Sequence, residues 1–302
     1  MKLRVAGQRR AIRFLTFLLF GFAAELQQAV AENDTAKIRE LGVVKPKQLS
    51  EVSGLVASRK HPGLLWLHND GDSGLLFAIT TSGKLAALVG CPVKIDDFED
   101  IAIGPNPKTG RDDLYLADIG DNDQRRREIR VVRMAEPDLA EADGDQIHVE
   151  SADVIRLRYP DGAHDAEALI VDPESGDLFI VTKDSRKARL FRCPAKALNG
   201  NAVTTLERVD DLDVAEISSA AIAPDGSRII LRRETRGWIW NRDDGQSVAA
   251  ALQGPATEIP VLGKRQGPNG EAVSFSPDGR SYYTVSEGKS QAVYSFPVPA
   301  KP

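Results

Sequence analysis

The chain has 302 residues, with 44 acidic against 39 basic side chains and a formal charge of −5 at neutral pH. That balance argues against nucleic acid or an anionic membrane surface as partner and is compatible with cations. Some 270 residues past the N-terminal region are enough to bury a good core, as one large unit or two smaller ones.

In chain order, Lys2, Arg4, Arg9, Arg10 and Arg13 precede an apolar run, Phe14 to Ala24, that is too short to span a bilayer comfortably. Ala29-Val30-Ala31 then has the small-residue spacing of a cleavage site. Residues 1–31 read as an export leader, with an uncleaved anchor as the alternative, and the mature chain starts near Glu32 in a secreted or periplasmic setting. Losing the leader makes the protein more acidic still. No later stretch is long and apolar enough to span, so no membrane role is expected after cleavage. Beyond Glu32, β-branched and aromatic runs alternate with Gly, Pro, Asp and Asn, which is the pattern of strands and turns.

One pattern recurs. EVSGLVAS from Glu51, DFEDIAIG from Asp97, DAEALIVD from Asp165, EISSAAIAPDGS from Glu216 and NGEAVSFSPDGR from Asn269 align on a single column, Ser53, Glu99, Glu167, Ser218 and Glu271. An outer column, Glu51, Asp97, Asp165, Glu216 and Asn269, stands two residues earlier. The intervals are 46, 68, 51 and 53 residues. The 32 residues from Glu271 to Pro302 and the 21 from Glu32 to Val52 together supply one more period, so the first strand, around Lys37 to Val44, should close a ring with the last unit. Each unit has material for four strands; in the third these are EALIVD, DLFIVT, ARLFRC and AVTTLERV. Residues 32–302 therefore read as a single all-β domain, a β-propeller of five four-stranded blades. The long second interval leaves a sixth blade open, although an acidic loop insertion at Ala135 to Gln146 accounts for it better. Trp66, Trp238 and Trp240 fall in strand patterns and are expected between blades. Cys91 and Cys193 each precede a proline and sit in non-adjacent units, so two separate thiols are expected rather than a bridge.

The turns SPDGR (Ser276 to Arg280) and APDGS (Ala223 to Ser227) resemble those of TolB-type and WD40-like periplasmic propellers. DAEAL (Asp165 to Leu169) and EVSGL (Glu51 to Leu55) resemble secreted phytase-like and gluconolactonase-like propellers. The resemblance spans the mature chain and implies the fold; toward activity it implies only a lean to metal-assisted ester chemistry.

In a blade the start of the first strand and the end of the second share one face of the disc. Both polar sets should therefore meet at one mouth of the channel. Glu99, Glu167 and Glu271 open innermost strands and would repel one another unless a positive charge sits among them. Ca²⁺ satisfies that need with oxygen ligands, and Asn69, Asn122, Asp118, Ser53 or Ser218 could complete its shell. Zinc fits less well, because the four histidines do not cluster. Against this stands a purely structural role, in which the carboxylates accept backbone N–H groups or pair with Lys183, Arg232 and Arg233. HNDGDSG (His68 to Gly74) lacks the closing glutamate of a calcium loop and reads as a turn, and QRRREIR (Gln124 to Arg130) as a solvated one.

Two functions remain open. One is an exported binding module, expected to be monomeric, that takes a small-molecule or protein ligand at a calcium-bearing mouth. The other is a metal-assisted hydrolase of phosphate esters or lactones, with Asp118 or His164 moving a proton and Lys183, Arg232 and Arg233 receiving an anion.

Overall fold

The computed structural model describes residues 37–198, 202–261 and 270–301. The expected leader and Asn269 lie outside them. Strand β1 (Arg39–Val43) is followed by β2 (Val52–Ala57), β3 (Leu64–Asn69), β4 (Leu75–Thr80) and β5 (Leu85–Gly90), and the last four pair in order as the first blade. Strands β6 (Phe98–Pro105), β7 (Asp112–Asp118) and β8 (Ile129–Ala135) begin the second blade. The connection after them carries β9 (Gln146–His148), and β10 (Asp153–Arg158) completes it.

The third blade is β11 (Ala166–Val171), β12 (Leu178–Thr182) and β13 (Arg189–Cys193), joined, past β14 (Thr204–Thr205), by β15 (Glu207–Asp211). The fourth is β16 (Ser219–Ile222), β17 (Arg228–Arg233), β18 (Arg236–Asn241) and β19 (Ala256–Ile259). The fifth is β20 (Ala272–Phe275), β21 (Ser281–Val285) and β22 (Ala292–Pro297), with β1 as its outer strand. β1 runs antiparallel to β22, from Arg39 opposite Ser295 to Val43 opposite Ala292. The ring thus has five blades and closes through its N-terminal strand.

Each inner strand lies beside the next around the ring, with β2 flanked by β6 and β20. Five apolar clusters fill the five gaps between blades. That is why strands such as β11 (AEALIV) and β12 (LFIVT) are buried along their whole length rather than alternating, since both faces of a blade meet a neighbour. Trp66 and Trp240 are buried in these gaps, the Trp66 indole donating to Glu136 across the first one at 2.8 Å. Trp238 is half-buried, with the Arg236 guanidinium 5.2 Å above its ring. Cys91 and Cys193 are two free thiols.

The turns follow from their residues. In SPDGR, Asp278 accepts the Ser276 hydroxyl at 2.6 Å and the Arg280 N–H at 3.1 Å, and Gly279 takes a φ of +68° that a side chain would resist. Two expectations need correction. AVTTLERV is not one strand: Thr204–Thr205 joins the second blade in parallel to β10, and only Glu207–Asp211 completes the third. The Ala135–Gln146 insertion is not merely a loop, because it leads into β9, which pairs in parallel with β5 of the first blade. Both insertions therefore cover the outer edge of the preceding blade, where unpaired strand groups would otherwise face solvent.

Candidate metal centre

A carboxylate can open a buried strand here because the strand is bulged at that point. The register slips between Val52 and Gly54, between Phe98 and Asp100, and between Ala166 and Ala168. Ser53, Glu99 and Glu167 are the extra residues of these β-bulges, released from the strand's alternation and re-aimed. Ser218 and Glu271 stand immediately before β16 and β20.

Below these residues the channel is plugged. Asp100, fully buried, accepts the N–H of Leu169 from the third blade at 2.9 Å and of Ala220 from the fourth at 3.4 Å, as well as its neighbour Ile101 at 2.9 Å and the Ser219 hydroxyl at 3.3 Å. Beyond the plug the channel is lined by mostly apolar residues of all five inner strands, among them Leu55, Ile101, Leu169, Ala220 and Val273. The polar mouth is thus separated from an apolar lower half.

At the mouth, the carboxylate oxygens of Asp70, Asp97 and Glu99 lie within 4.8 Å of one another. Asp70 follows the end of β3, Asp97 precedes β6, and Glu99 sits on its bulge. Hydrogen bonds hold the segments together: between backbones, Phe98 N–H to Gly71 O at 2.9 Å and Asp70 N–H to Glu51 O at 2.8 Å, and from backbone to side chain, Asp97 N–H to Asp118 Oδ1 at 3.0 Å. Gly120, past the end of β7, makes room for the group. A Cβ there would fall 2.1 Å from Glu99 Oε1 and 2.5 Å from Asp97 Oδ2. Glu99 is only 4% exposed, and burial, followed by the charges of Glu167, Asp70, Asp97 and Asp165, pushes its carboxyl up to about 10. Burial and these neighbouring carboxylates, which disfavour its ionised form, outweigh the attraction of Lys183. Asp97 is raised too, by burial and Asp70, although Arg126 partly offsets this.

The other two glutamates of the column have different neighbours. Glu167 forms a short ion pair with Lys183; burial still raises it to about 7 against the lysine's pull. Glu271 is raised to about 8 by burial and then by Glu287 and Glu167, with Lys183 opposing. Lys183 feels the charges of Glu167, Glu271 and Glu99, so all belong to one mouth. Among the described residues, however, only Glu99 of the three joins the close oxygen cluster.

The remaining candidates are committed elsewhere. Asn69 Oδ1 accepts the N–H groups of Ser50 and Glu51 at 3.0 Å and its Nδ2 donates to Gln48 O at 2.6 Å, so its amide ties down the segment before β2. Asn122 is exposed. Asp118 is buried, paired with Arg126 at 3.0 Å and closely with Arg130, so two members of the arginine-rich run, which is otherwise a mostly exposed turn feeding β8, supply its counter-charges. His164 is not a loose loop residue: it is packed against Tyr159 and Phe191, 2.8 Å from Asp161 and 2.7 Å from Arg189. Arg233 pairs with Glu216 at 2.7 Å.

Arg232 is drawn into the ring wall. It is fully buried and donates to the carbonyls of Ala272 at 3.1 Å, Glu234 at 3.2 Å and Arg233 at 3.4 Å. Its guanidinium passes close to Gly270, where a Cβ would fall 2.1 Å from Nη2. Burial lowers its pKa to about 10, with Glu271 opposing.

The sequence reading assigned neither Asp70 nor Asp97 to the metal. Asp97 stood in the outer column, of which Asp165 accepts the Asp121 N–H of the second blade at 3.2 Å and Glu216 pairs with Arg233 within its own blade. Asp70 stood in the HNDGDSG turn. The available signal was the density of acids at the two segments the blade geometry brings to one mouth.

Neither a protein-family model nor a curated protein matches the sequence. Among solved structures, the crystal structure of a glucose dehydrogenase is similar, with a TM-score of 0.51 and 12% identity over 87% of this chain and all of that one. A likeness at that identity speaks for the propeller fold alone.

Proposed function

We propose that this is an exported, monomeric propeller whose mouth binds a divalent cation, with calcium the best match. In this reading the cation completes a binding face for a small-molecule or protein ligand. One observation carries it: three carboxylates from two blades place oxygens within 4.8 Å of one another. Oxygens bound to one Ca²⁺ at 2.3–2.6 Å lie at most about 5 Å apart, and Ca²⁺ accepts the irregular geometry and the waters that would fill the remaining positions. The all-oxygen donor set favours a hard cation over zinc. Glu99 is surrounded by burial and like charge, so a cation would relieve the largest electrostatic cost at the mouth.

The test is thermal unfolding of the metal-free protein with and without calcium. Calcium at a hundred times its dissociation constant should add about 2.7 kcal/mol, a shift of several degrees, and chelator should remove it. Absence of a shift, or the same shift in Asp97→Asn, would sink the reading.

A second reading is metal-assisted hydrolysis of a phosphate ester or lactone. Its support is that Glu167 and Glu271, held up to about 7 and about 8 beside Lys183, titrate where a general acid or base works. Assaying phosphate monoesters and lactones with and without chelator decides it.

A further inference from the structure

The three carboxylates are carried by two short segments, and one pair of rings clamps those segments together. His68, near the end of β3, is fully buried and lies flat on Phe98, ring centroids 3.4 Å apart and planes 1° from parallel. Asp70 follows His68 by two residues, while Asp97 and Glu99 flank Phe98 on either side. His68 Nδ1 is 2.8 Å from the carbonyl oxygen of Asn69, which can only accept, so Nδ1 carries the proton and Nε2 offers a lone pair. That Nε2 is buried with no hydrogen-bond partner among the described residues. It occupies the space in front of Gly54, where a Cβ would fall 2.0 Å from it.

A buried ring nitrogen left unpaired is costly, and a hydrocarbon side chain would avoid that cost. What the histidine adds over a hydrocarbon is a flat ring for Phe98 together with a bond to the backbone carbonyl next to Asp70. Stability given up at one position is the usual mark of a residue kept for what it positions.

We propose that His68 is a positioning residue for the cation site: its stack on Phe98 and its bond to Asn69 O set Asp70 against Asp97 and Glu99, so that the oxygens stand ready before the ion arrives. This rests on the cation reading above. It assigns His68 no contact with the ion; outer partners that orient ligands typically contribute tenfold to a hundredfold in affinity.

The test compares wild type, His68→Leu and Phe98→Leu. Calcium and magnesium affinities come from isothermal titration and melting midpoints of the metal-free proteins from calorimetry. Calcium affinity should fall about tenfold or more in both variants, and the calcium-to-magnesium preference should change. The His68→Leu protein should meanwhile melt near wild type, because the lost stacking is offset by removal of the unpaired nitrogen. A role confined to packing gives the opposite pattern, a lower midpoint with affinity and metal preference untouched, and that result overturns the proposal. Where His68→Leu does not fold, His68→Phe keeps a ring and deletes only the Asn69 bond, and it too should bind calcium more weakly. Wild type that binds calcium beside variants that bind it equally well removes the positioning role and leaves the cation site standing. Wild type that does not bind calcium removes both.

Discussion

The two sides of the mouth treat the same column position differently. In the third to fifth blades, positive charge is built into the protein: Lys183 pairs with Glu167, and Arg232 lies in the wall behind Glu271. In the first and second blades, Arg126 and Arg130 are bound to Asp118, and at Glu99 burial and neighbouring carboxylates outweigh the pull of Lys183. Equivalent strand positions in a repeat therefore need not share a role. What separates them is whether a basic side chain stands directly against the carboxylate, as Lys183 does at Glu167, or other carboxylates do, as at Glu99.

The largest effect should come from breaking the built-in side. Arg232→Met removes the donors to the Ala272, Glu234 and Arg233 carbonyls inside the wall and should cost about 3 kcal/mol or more by denaturant titration, with calcium binding largely kept. A variant as stable as wild type would show that these carbonyls find other partners.

Next, Glu99→Gln should weaken calcium binding by about a hundredfold, equivalent to about 2.7 kcal/mol, whereas Glu167→Gln, which loses a partner of Lys183 rather than a ligand, should change it only severalfold. Equal losses would mean that the two sides act as one site. Smaller again, Gly120→Ala should reduce affinity about tenfold without unfolding the protein, because its Cβ would press on the Glu99 and Asp97 oxygens and displace them. Titration calorimetry of each variant reads these losses.

The smallest effect is in pH. Glu167, Glu271 and Glu99 stand at about 7, 8 and 10 against an ordinary 4.5, so the folded metal-free protein holds protons that the unfolded chain has released. Stability from these groups is full below about pH 4.5 and is lost as the pH rises from there through the folded values of about 7, 8 and 10, so that between pH 7 and 8 the loss is still under way. The metal-free midpoint should fall by a few degrees over that range, and saturating calcium, which takes the ionised carboxylates, should flatten or reverse the slope. A metal-free midpoint that rises over the same range would contradict the raised values.

Much of this was legible in the sequence. The spacing of Ser53, Glu99, Glu167, Ser218 and Glu271 implied five blades, and the residues left over at the two chain ends implied closure by β1 against β22. Both depend on periodicity and on strands needing partners, which a linear chain displays directly. Glu99 was also legible, because a carboxylate opening an apolar strand breaks the local pattern. Its companions were not. Asp70 and Asp97 look like ordinary turn residues until a bulge turns Glu99 toward them and Gly120 lets them approach.

The sequence by itself determined the ring, its closure and the acid-rich face, since strand periodicity and turn residues mark each unit locally and the spacing of the units is read directly along the chain. Only the tertiary structure decided which acids come within 4.8 Å of one another and which basic side chains are already taken: the burial of Arg232, the pairing of Lys183 and the capture of Arg126 and Arg130 by Asp118. The reason is physical. Electrostatic environment depends on distances of a few Å between residues far apart in the chain, and side chains of the same type one period apart can face a guanidinium or another carboxylate.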